Sequence, residues 1–450
     1  MEIFKIVLPK DVEFILNKIE NEGFSAYVVG GSIRNQLINQ IHNENFPIKD
    51  WDITTNCSYD KLKEIFKGFS IEEVGRSFGV LIVKINEQHY ELALYREDGE
   101  YSDNRRPNEV KFTNDLKSDI ARRDFCCNGI CYSPSKGLID YYNGVEDIKM
   151  LVLRFIGEPE DRLNEDMLRY MRMFRFATQY NMVYPVIDFE KYNKKLLTIS
   201  KERIRDEFNK ILIDDNCVNG LRNMIREGVL QIIIPELENC VNFNQNNSHH
   251  NKDLMEHLLE TVKNTKPILI NRLSAILHDI GKVQTHSIDD KGESHYYIHH
   301  KVSADMSEII LKRLKYDNKT IEVVKKLIYN HMGKSDKQSN KSIKKFILRV
   351  GEENLENMFN LLYADIMAHK PPHNLESLEC LKQKCYDMIN REEPIHKSQL
   401  CINGKDLIEL GYKQGKIIGE ILDRCMELVL NNPENNNKEF LENKIIEGGN

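Results

Sequence analysis

Asp50 and Asp52 stand one residue apart in Lys-Asp-Trp-Asp-Ile-Thr-Thr, shortly after the run Tyr27-Val-Val-Gly-Gly-Ser-Ile-Arg34. On an extended segment, residues i and i+2 point to the same side. Two carboxylates placed that way offer hard oxygen ligands to Mg²⁺ for phosphoryl transfer. Gly30 and Gly31 allow a tight turn and a close approach of backbone to ligand. Ser32 to Ile38 reads as a helix start, with free N–H groups facing an anion and Arg34 one turn in. Taken singly, these features describe a glycine turn and an acidic edge. In this order they describe a phosphate cradle followed by a metal-binding pair. Glu91, on a later strand, is a candidate third carboxylate, and Arg105 and Arg106 are candidates for touching substrate phosphate.

Two further groups extend the same chemistry. Arg122, Arg123, Asp124 and Asn128 lie in the run Ile120–Ile130, where i, i+4 spacing predicts Asp124 and Asn128 on one helix face, open to a ribose or a base edge. Glu165, Asp166, Arg169, Arg172 and Arg175 are spaced for one slowly drifting helix face. The planar fork of arginine suits base edges and phosphates, and Asp166 beside Arg169 presents an acceptor with a donor. The alternative is a salt-bridged solvated helix. Lys191, Lys194 and Lys195 precede a basic helix opening at Ser200, a local cluster suited to RNA backbone.

A second constellation occupies residues 241–375. It comprises His257 on an apolar-periodic helix, the adjacent pair His278-Asp279 with Lys282 after it, then His295, His299, His300, His331 and Asp365. Neutral imidazole and carboxylate together suit a transition metal such as Mn²⁺, Ni²⁺, Fe²⁺ or Co²⁺. A single helical histidine would read as a packed or surface residue.

The elements needed to hold these groups are legible. Val12, Ile15, Leu16 and Ile19 give a helix that ends at Gly23; Tyr27–Val29, Gly79–Ile85 and Tyr90–Tyr95 read as strands; Tyr59–Phe66 reads as a helix. The expectation is α+β: a small mixed sheet with helices over 1–150, then helical regions over 151–240, 241–375 and 376–450. At 450 residues the chain exceeds one ordinary core. A net charge of −7 with 30% charged residues argues against whole-protein attraction to nucleic acid while leaving local basic faces, and no DNA partner is expected. No apolar run is long enough to span a bilayer and no signal peptide is read, so no membrane partner and a cytoplasmic location are expected. The ten cysteines lack paired metal spacing and read as reduced, buried, small hydrophobes. Asn431–Asn437 reads as a loop.

Val29-Gly-Gly-Ser-Ile-Arg34, Lys49-Asp-Trp-Asp-Ile-Thr-Thr55, Ala121-Arg-Arg-Asp-Phe125 with Asn128, Ile139-Asp-Tyr141 with Gly144, Gly157-Glu-Pro159 leading to Glu165-Asp-Met-Leu-Arg169, and Glu202-Arg-Ile204 occur in that order. As an ordered set they resemble the bacterial-type, class II tRNA nucleotidyltransferases and poly(A) polymerases over about residues 20–240. The resemblance implies a polymerase-β-like palm followed by helical neck, body and tail. It implies two Mg²⁺ ions on Asp50 and Asp52, and nucleotide phosphates at Gly31 and Arg34. Arg123, Asp124 and Asn128 would meet triphosphate and sugar, and Asp166 and Arg169, with Arg172 and Arg175 nearby, would select the base. The partners implied are tRNA, CTP and ATP. Two departures stand out: Asn35 where the family usually has Asp, and Cys126, Cys127 and Gly129 where it commonly has Thr, an apolar residue and Ala. The second constellation resembles the HD phosphohydrolases, an all-α fold. There His257, His278, Asp279 and Asp365 match one metal site, His299 and His331 the added ligands of two-metal members, and Lys282 a lysine near the phosphate.

The function implied is template-independent addition of CCA to tRNA, with an accessory HD phosphohydrolase. The alternatives are a CC- or A-adding enzyme, a poly(A) polymerase, or a phosphohydrolase with an idle palm. A degenerate second domain kept for RNA binding or packing is the competing reading of the histidine cluster.

Overall fold

The computed structural model describes residues 4–73, 76–99, 109–245, 253–290, 292–333 and 339–447. Arg105 and Arg106 lie outside the described residues. The chain forms two compact units, Met1–Ile232 and Ile233–Asn450.

In the first unit, β1 (Ala26–Val29), β2 (Asp52–Thr55), β3 (Ser70–Glu72), β4 (Val80–Ile85) and β5 (Gln88–Leu94) belong to one sheet. β6 (Arg96–Asp98) and β7 (Val110–Phe112) pair separately, while β8 (Cys131–Ser133) and β9 (Gly137–Ile139) rejoin the first sheet. The seven-stranded order is β3-β4-β5-β2-β1-β8-β9, with β2 and β5 parallel. β1 runs between β2 and β8 and its four residues are all buried, as a β-branched and aromatic run without alternation requires. Each buried Val or Ile stabilises the sheet by about 1.5–3 kcal/mol. Tyr27, Val29, Tyr95, Leu116, Ile120, Cys126, Cys131 and Ile156 close one core against the sheet. The helix Lys10–Glu20 buries Val12, Ile15, Leu16 and Ile19 at the expected spacing.

Two expected helices are broken. The helix through Ile120–Ile130 stops at Ala121, and Phe125 is extended (φ −121°, ψ 148°) and bridges Phe155. Phe125 has turned inward, with ring centroids 4.9 Å from Phe155 and 5.3 Å from Phe176. Burying that ring outweighs local helical periodicity. The arm is likewise two helices, Pro159–Glu165 and Leu168–Gln179, with Asp166 extended between them. The Asp166 carboxylate accepts the Leu168 N–H at 3.0 Å, the use of Asp that competes with a helix interior.

In the second unit, helices Leu254–Asn264, Leu269–Leu277, His299–Arg313, Asn318–Asn330 and Leu355–Ala368 enclose the histidine cluster, with a hairpin of β10 (His286–Ile288) and β11 (Ser294–Tyr296) beside it. A second core in the same unit gathers Leu400, Ile402, Leu407, Ile421, Val429, Leu441 and others. Within the expected loop, Asn432 caps a 3-10 turn over Pro433–Asn435. All ten cysteines are free and eight are buried; Cys380 and Cys401 are exposed, against expectation. Among the described residues, no helix is long and apolar enough to cross a membrane.

Asp140 receives the N–H groups of Tyr142, Gly144 and Val145, turning the chain into the helix Gly144–Met150. A Cβ on Gly144 would lie 2.2 Å from the Cys126 carbonyl oxygen. Gly144→Ala is therefore expected to cost about 1–3 kcal/mol. Urea unfolding followed by the fluorescence of Trp51, the single tryptophan, reads the first unit directly. An unchanged midpoint would contradict this packing.

Candidate functional site

Gly30 turns β1 into the helix Gly31–His42 with φ 85° and ψ −132°, a conformation open to glycine. A Cβ there would face Asp52 Oδ2 at 3.7 Å and Arg123 Nη1 at 3.8 Å, so the turn abuts the site. Arg34, one turn on, is only 7% exposed. It donates to Asn128 Oδ1, to the Tyr180 hydroxyl (2.5 Å) and to Asn35 Oδ1 (2.9 Å), and lies over the Tyr180 and Phe176 rings at 4.5 and 4.9 Å. Asn35, the first departure from the family pattern, thus serves as an acceptor for Arg34 and for the Tyr180 hydroxyl.

Asp52 opens β2 opposite Val29, and the parallel register pairing Ile53 with Leu92 brings Asp52 level with Glu91. Burial of its carboxyl group raises its pKa to about 6; Arg123 opposes the rise, while Glu91 and Asp50 add to it. Neighbouring carboxylates that raise one another's pKa are a donor set that a dication relieves, and the oxygen ligands fit Mg²⁺. Asp50 is not on the strand. It precedes β2 in the left-handed region (φ 50°), a conformation Asp tolerates, so simple strand alternation does not describe the pair.

The buried Asp124 accepts from Arg172 Nε at 2.8 Å and from Arg172 Nη2, from Asn128 Nδ2 at 2.9 Å and from the Phe125 N–H at 2.8 Å. Burial opposes its charge, yet Arg172 and these donors hold the carboxyl well below the usual carboxylate range. Asp124 and Asn128 therefore meet as expected, through an inward turn instead of a helix face. Asp166 is gripped by Arg203 at 3.0 and 3.1 Å. Arg169 is held by Glu165 and by the carbonyls of Arg162 (2.9 Å) and Arg122 (2.8 Å). Arg175 pairs with Glu207 at 3.2 Å and covers Phe176. The arginine stripe is thus anchored to carboxylates residue by residue. Lys191 and Lys194 pair with Glu160 and Glu190, and Lys195 donates to Asn164.

One open cavity of about 420 Å³ gathers Gly30, Gly31, Arg34, Asp52, Arg123, Asp124, Asn128, Asp166, Arg169 and Arg172, together with Leu168, Phe176 and Arg203. Asp50 and Arg175 are not among its lining residues. Sequence spacing singles out neither Leu168 nor Phe176 for the site, and it places Arg203 only on a basic helix face. Only the meeting of Arg203 with Asp166 shows its place.

The second constellation converges more tightly. His257 Nε2 and His278 Nε2 both stand 3.3 Å from Asp279 Oδ2, and His257 Nε2 is also 3.3 Å from Asp365 Oδ1. On the other oxygen, Asp279 Oδ1 has His299 Nε2 at 3.2 Å and His331 Nε2 at 3.5 Å. His278, His299 and His331 each turn Nδ1 to a carbonyl, of Ala275, Tyr296 and Ile328, at 2.8, 2.7 and 2.6 Å, which aims Nε2 inward. Three sets of possible metal ligands result: His257–His278–Asp279, His257–Asp365–His369 and Asp279–His299–His331. His369 was not singled out as a ligand by sequence spacing. His295, by contrast, pairs with Asp289 at 3.0 Å, outside these sets. Buried Asp279 Oδ1 has two imidazole nitrogens near it but no hydrogen-bond geometry, which fits a cation between them. Lys282 Nζ lies 2.7 Å from Asp279 and 2.9 Å from Gln245 Oε1.

Three domain families match the chain: the poly(A) polymerase head domain over residues 26–154, a probable RNA- and SrmB-binding site of polymerase A over 188–241, and a putative tRNA nucleotidyltransferase domain 2 over 295–445. The CCA-adding enzyme of Enterococcus faecalis is 29% identical over 439 residues, spanning 96% of this chain and 94% of that protein. That of Staphylococcus epidermidis is 37% identical over 218 residues, 48% of this chain and 51% of that protein. A crystal structure of the Bacillus stearothermophilus CCA-adding enzyme in complex with CTP has the same fold, with a TM-score of 0.71 at 22% identity, covering 99% of this chain and 100% of that one. The Thermotoga maritima CCA-adding enzyme complexed with tRNA aligns with a TM-score of 0.59 at 17% identity, covering 99% of this chain and 100% of that one. Fold and site together define a nucleotidyltransferase. Over residues 26–154 the chain matches the poly(A) polymerase head domain, and over nearly its whole length it is similar to bacterial CCA-adding enzymes.

Arg172→Ala leaves the buried Asp124 without its cationic partner, and is expected to destabilise the first unit by about 1–3 kcal/mol. Arg172→Lys restores charge but not the two-nitrogen contact, and should recover only part. Equal urea midpoints for Arg172→Ala and wild type would remove Arg172 as the partner of Asp124.

Proposed function

We propose that this protein adds C, C and A to the 3′ end of tRNA, taking CTP and ATP without a nucleic-acid template. The observation that carries the proposal is the 420 Å³ cavity, where a glycine turn, Asp52 and a set of anchored arginines face one space. In this reading Gly31 and Arg34 meet the nucleotide phosphates, and Arg123, Asp124 and Asn128 position triphosphate and sugar. Asp166 and Arg169 select the base, and Arg172 and Arg175 hold that wall in place. Arg203 orients the Asp166 carboxylate, so acceptor and donor meet the base edge without reorganisation. Lys191, Lys194 and Lys195 face RNA phosphate. The RNA 3′-oxygen forms a bond to the α-phosphorus as the bond from that phosphorus to pyrophosphate breaks, and the hydroxyl proton passes to water. Mg²⁺ ions held by Asp50 and Asp52 would lower the pKa of that hydroxyl and offset charge on the α-phosphate and the leaving group. The division into palm (1–150), neck and body (151–240), metal domain (241–375) and tail (376–450), and a cytoplasmic site of action, belong to the same proposal.

A second activity is favoured by Asp279, whose two oxygens address separate pairs of histidines. The nitrogen and oxygen donors of His257, His278, Asp279, His299, His331 and Asp365 suit Mn²⁺, Ni²⁺, Fe²⁺ or Co²⁺, which would acidify an attacking water. In hydrolysis of a phosphoester, the water oxygen bonds to phosphorus, the phosphorus–alkoxy bond breaks and the alcohol leaves with a proton. Lys282 would face the phosphate.

tRNA transcripts ending before CCA, after C and after CC, each given CTP, ATP or both with Mg²⁺, test the first proposal. Ordered completion of CCA followed by a stop is expected. Addition of C alone, or of A only to the CC-ended transcript, would make it a partial enzyme, and long A tails a poly(A) polymerase. Asp52→Ala is expected to lower incorporation by at least three orders of magnitude while leaving metal-dependent hydrolysis in place. His278→Ala is expected to do the reverse and to lower bound transition metal by elemental analysis.

A further inference from the structure

Resting on the reading of Asp50 and Asp52 as metal ligands, we infer that Asn35 and Asn39 form an amide clamp that positions Asp50. One helix then sets both the glycine-turn cradle and the first carboxylate of the metal pair.

Asp50 requires an anchor of its own. Asp52 opens β2 and takes its place from the sheet register. Asp50 lies before that strand, in the left-handed region at φ 50°. Between the helix Gly31–His42 and β2, residues 43–51 form neither helix nor strand. A segment without a regular ladder of backbone bonds keeps one shape where side chains supply partners for its N–H and C=O groups.

Two such side chains come from the helix. Asn35 and Asn39 stand four residues apart, one turn along the same face. Asn39 Nδ2 donates to the Phe46 carbonyl at 2.9 Å, and Asn39 Oδ1 accepts the Phe46 N–H at 2.7 Å. One carboxamide thus meets both backbone groups of one residue, as a neighbouring strand would. Asn35 Nδ2 donates to the Pro47 carbonyl at 2.8 Å. At its other end, Asn35 Oδ1 accepts Arg34 Nε at 3.1 Å, Arg34 Nη2 at 2.9 Å and the Tyr180 hydroxyl at 3.0 Å. The Tyr180 ring packs edge-on against Phe46 with centroids 4.9 Å apart. Pro47 has a fixed φ, and only Ile48 and Lys49 separate it from Asp50. A carbonyl held there leaves the chain little room to move Asp50.

The clamp needs amides. Each Nδ2 faces a carbonyl oxygen, while each Oδ1 faces N–H or O–H donors, so the donors and acceptors fix the orientation of both groups. A carboxylate at position 35 or 39 keeps the bonds of the oxygen and sets a second acceptor against the carbonyl. Asn35 is buried, so that mismatch has no escape to water. Through Asn35, the arginine next to the glycine turn and the connector that carries Asp50 share one side chain.

The test uses the full-length chain and Tb³⁺, a hard cation that takes oxygen ligands. Trp51, the single tryptophan, lies between Asp50 and Asp52, so Tb³⁺ luminescence excited through it reports this pair and not the histidine cluster. Asn35→Asp is expected to raise the Tb³⁺ midpoint at least tenfold. An added carboxylate with the clamp intact would lower the midpoint instead, so the sign separates the two effects, and an unchanged or lowered midpoint overturns the inference. Tyr180→Phe removes a donor to Asn35 Oδ1 and keeps the bond to Pro47, and is expected to hold the midpoint within twofold. A shift as large as that of Asn35→Asp would assign the effect to the surroundings of Arg34 and overturn the clamp. Hydrogen exchange of the peptide Phe46–Asp50, without metal, is expected to be at least tenfold faster in Asn35→Asp and in Asn39→Asp, with the helix Lys10–Glu20 unchanged. Wild-type exchange in both variants overturns the inference. Faster exchange that spreads to the helix Lys10–Glu20 in Asn35→Asp reports unfolding, and Asn39→Asp, at a half-buried position, then decides by both readouts. If Asp52→Ala leaves the luminescence at the wild-type level, the metal-pair reading falls, and exchange alone decides whether the clamp holds Asp50.

Discussion

A carboxylate removed from water has to be given partners, and in the first unit Asp124 is where that demand shapes the most structure. Its two oxygens take Arg172 from the helix Leu168–Gln179, the Asn128 amide and the N–H of Phe125. Asn128 in turn accepts from Arg34 on the helix that follows the glycine turn. One buried negative charge thus links the helix after the glycine turn, the turn that buries Phe125 and the arginine-bearing helix. Such a pair adds little net stability compared with an apolar substitute, because desolvation offsets most of the attraction. What it supplies is geometry: removing any member leaves a buried polar group unsatisfied, so the members stay in register.

The rest of the arginine wall follows the same rule. Arg169 on Glu165, Arg175 on Glu207 and Arg203 on Asp166 leave little rotamer freedom to lose when a ligand arrives. Such rigidity suits recognition of a planar ligand edge, since a loose guanidinium fork would pair with several edges equally well. The acidic total of the chain is no obstacle, because the positive groups that matter are local and held.

The two candidate metal sites differ in the way their chemistry demands. Asp52 and Glu91 are oxygen donors on neighbouring strands, with Asp50 just before the first of them, and the Asp52 carboxyl is driven up by burial and by its neighbours. The histidine cluster is buried, rich in nitrogen and aimed by backbone carbonyls at Nδ1. The first donor set suits a hard cation and the second a borderline one.

The sequence by itself determined the elements with strong periodicity, such as the helix burying Val12, Ile15, Leu16 and Ile19 and the strand Ala26–Val29. It also determined the inventory of cradle, carboxylates, arginines and histidines. These are local properties: spacing decides which face a side chain occupies, and residue type decides what it can bind. Helix breaks at Ala121 and Asp166, the left-handed Asp50, the pairing of Arg203 with Asp166, the entry of His369 into a ligand set and the pairing of His295 with Asp289 were decided only by the tertiary structure. Each depends on a partner distant in sequence — Phe155 and Phe176 for Phe125, Arg203 for Asp166, Asp365 and His257 for His369 — and the free energy of satisfying that partner exceeds the few tenths of a kcal/mol by which local preference is expressed.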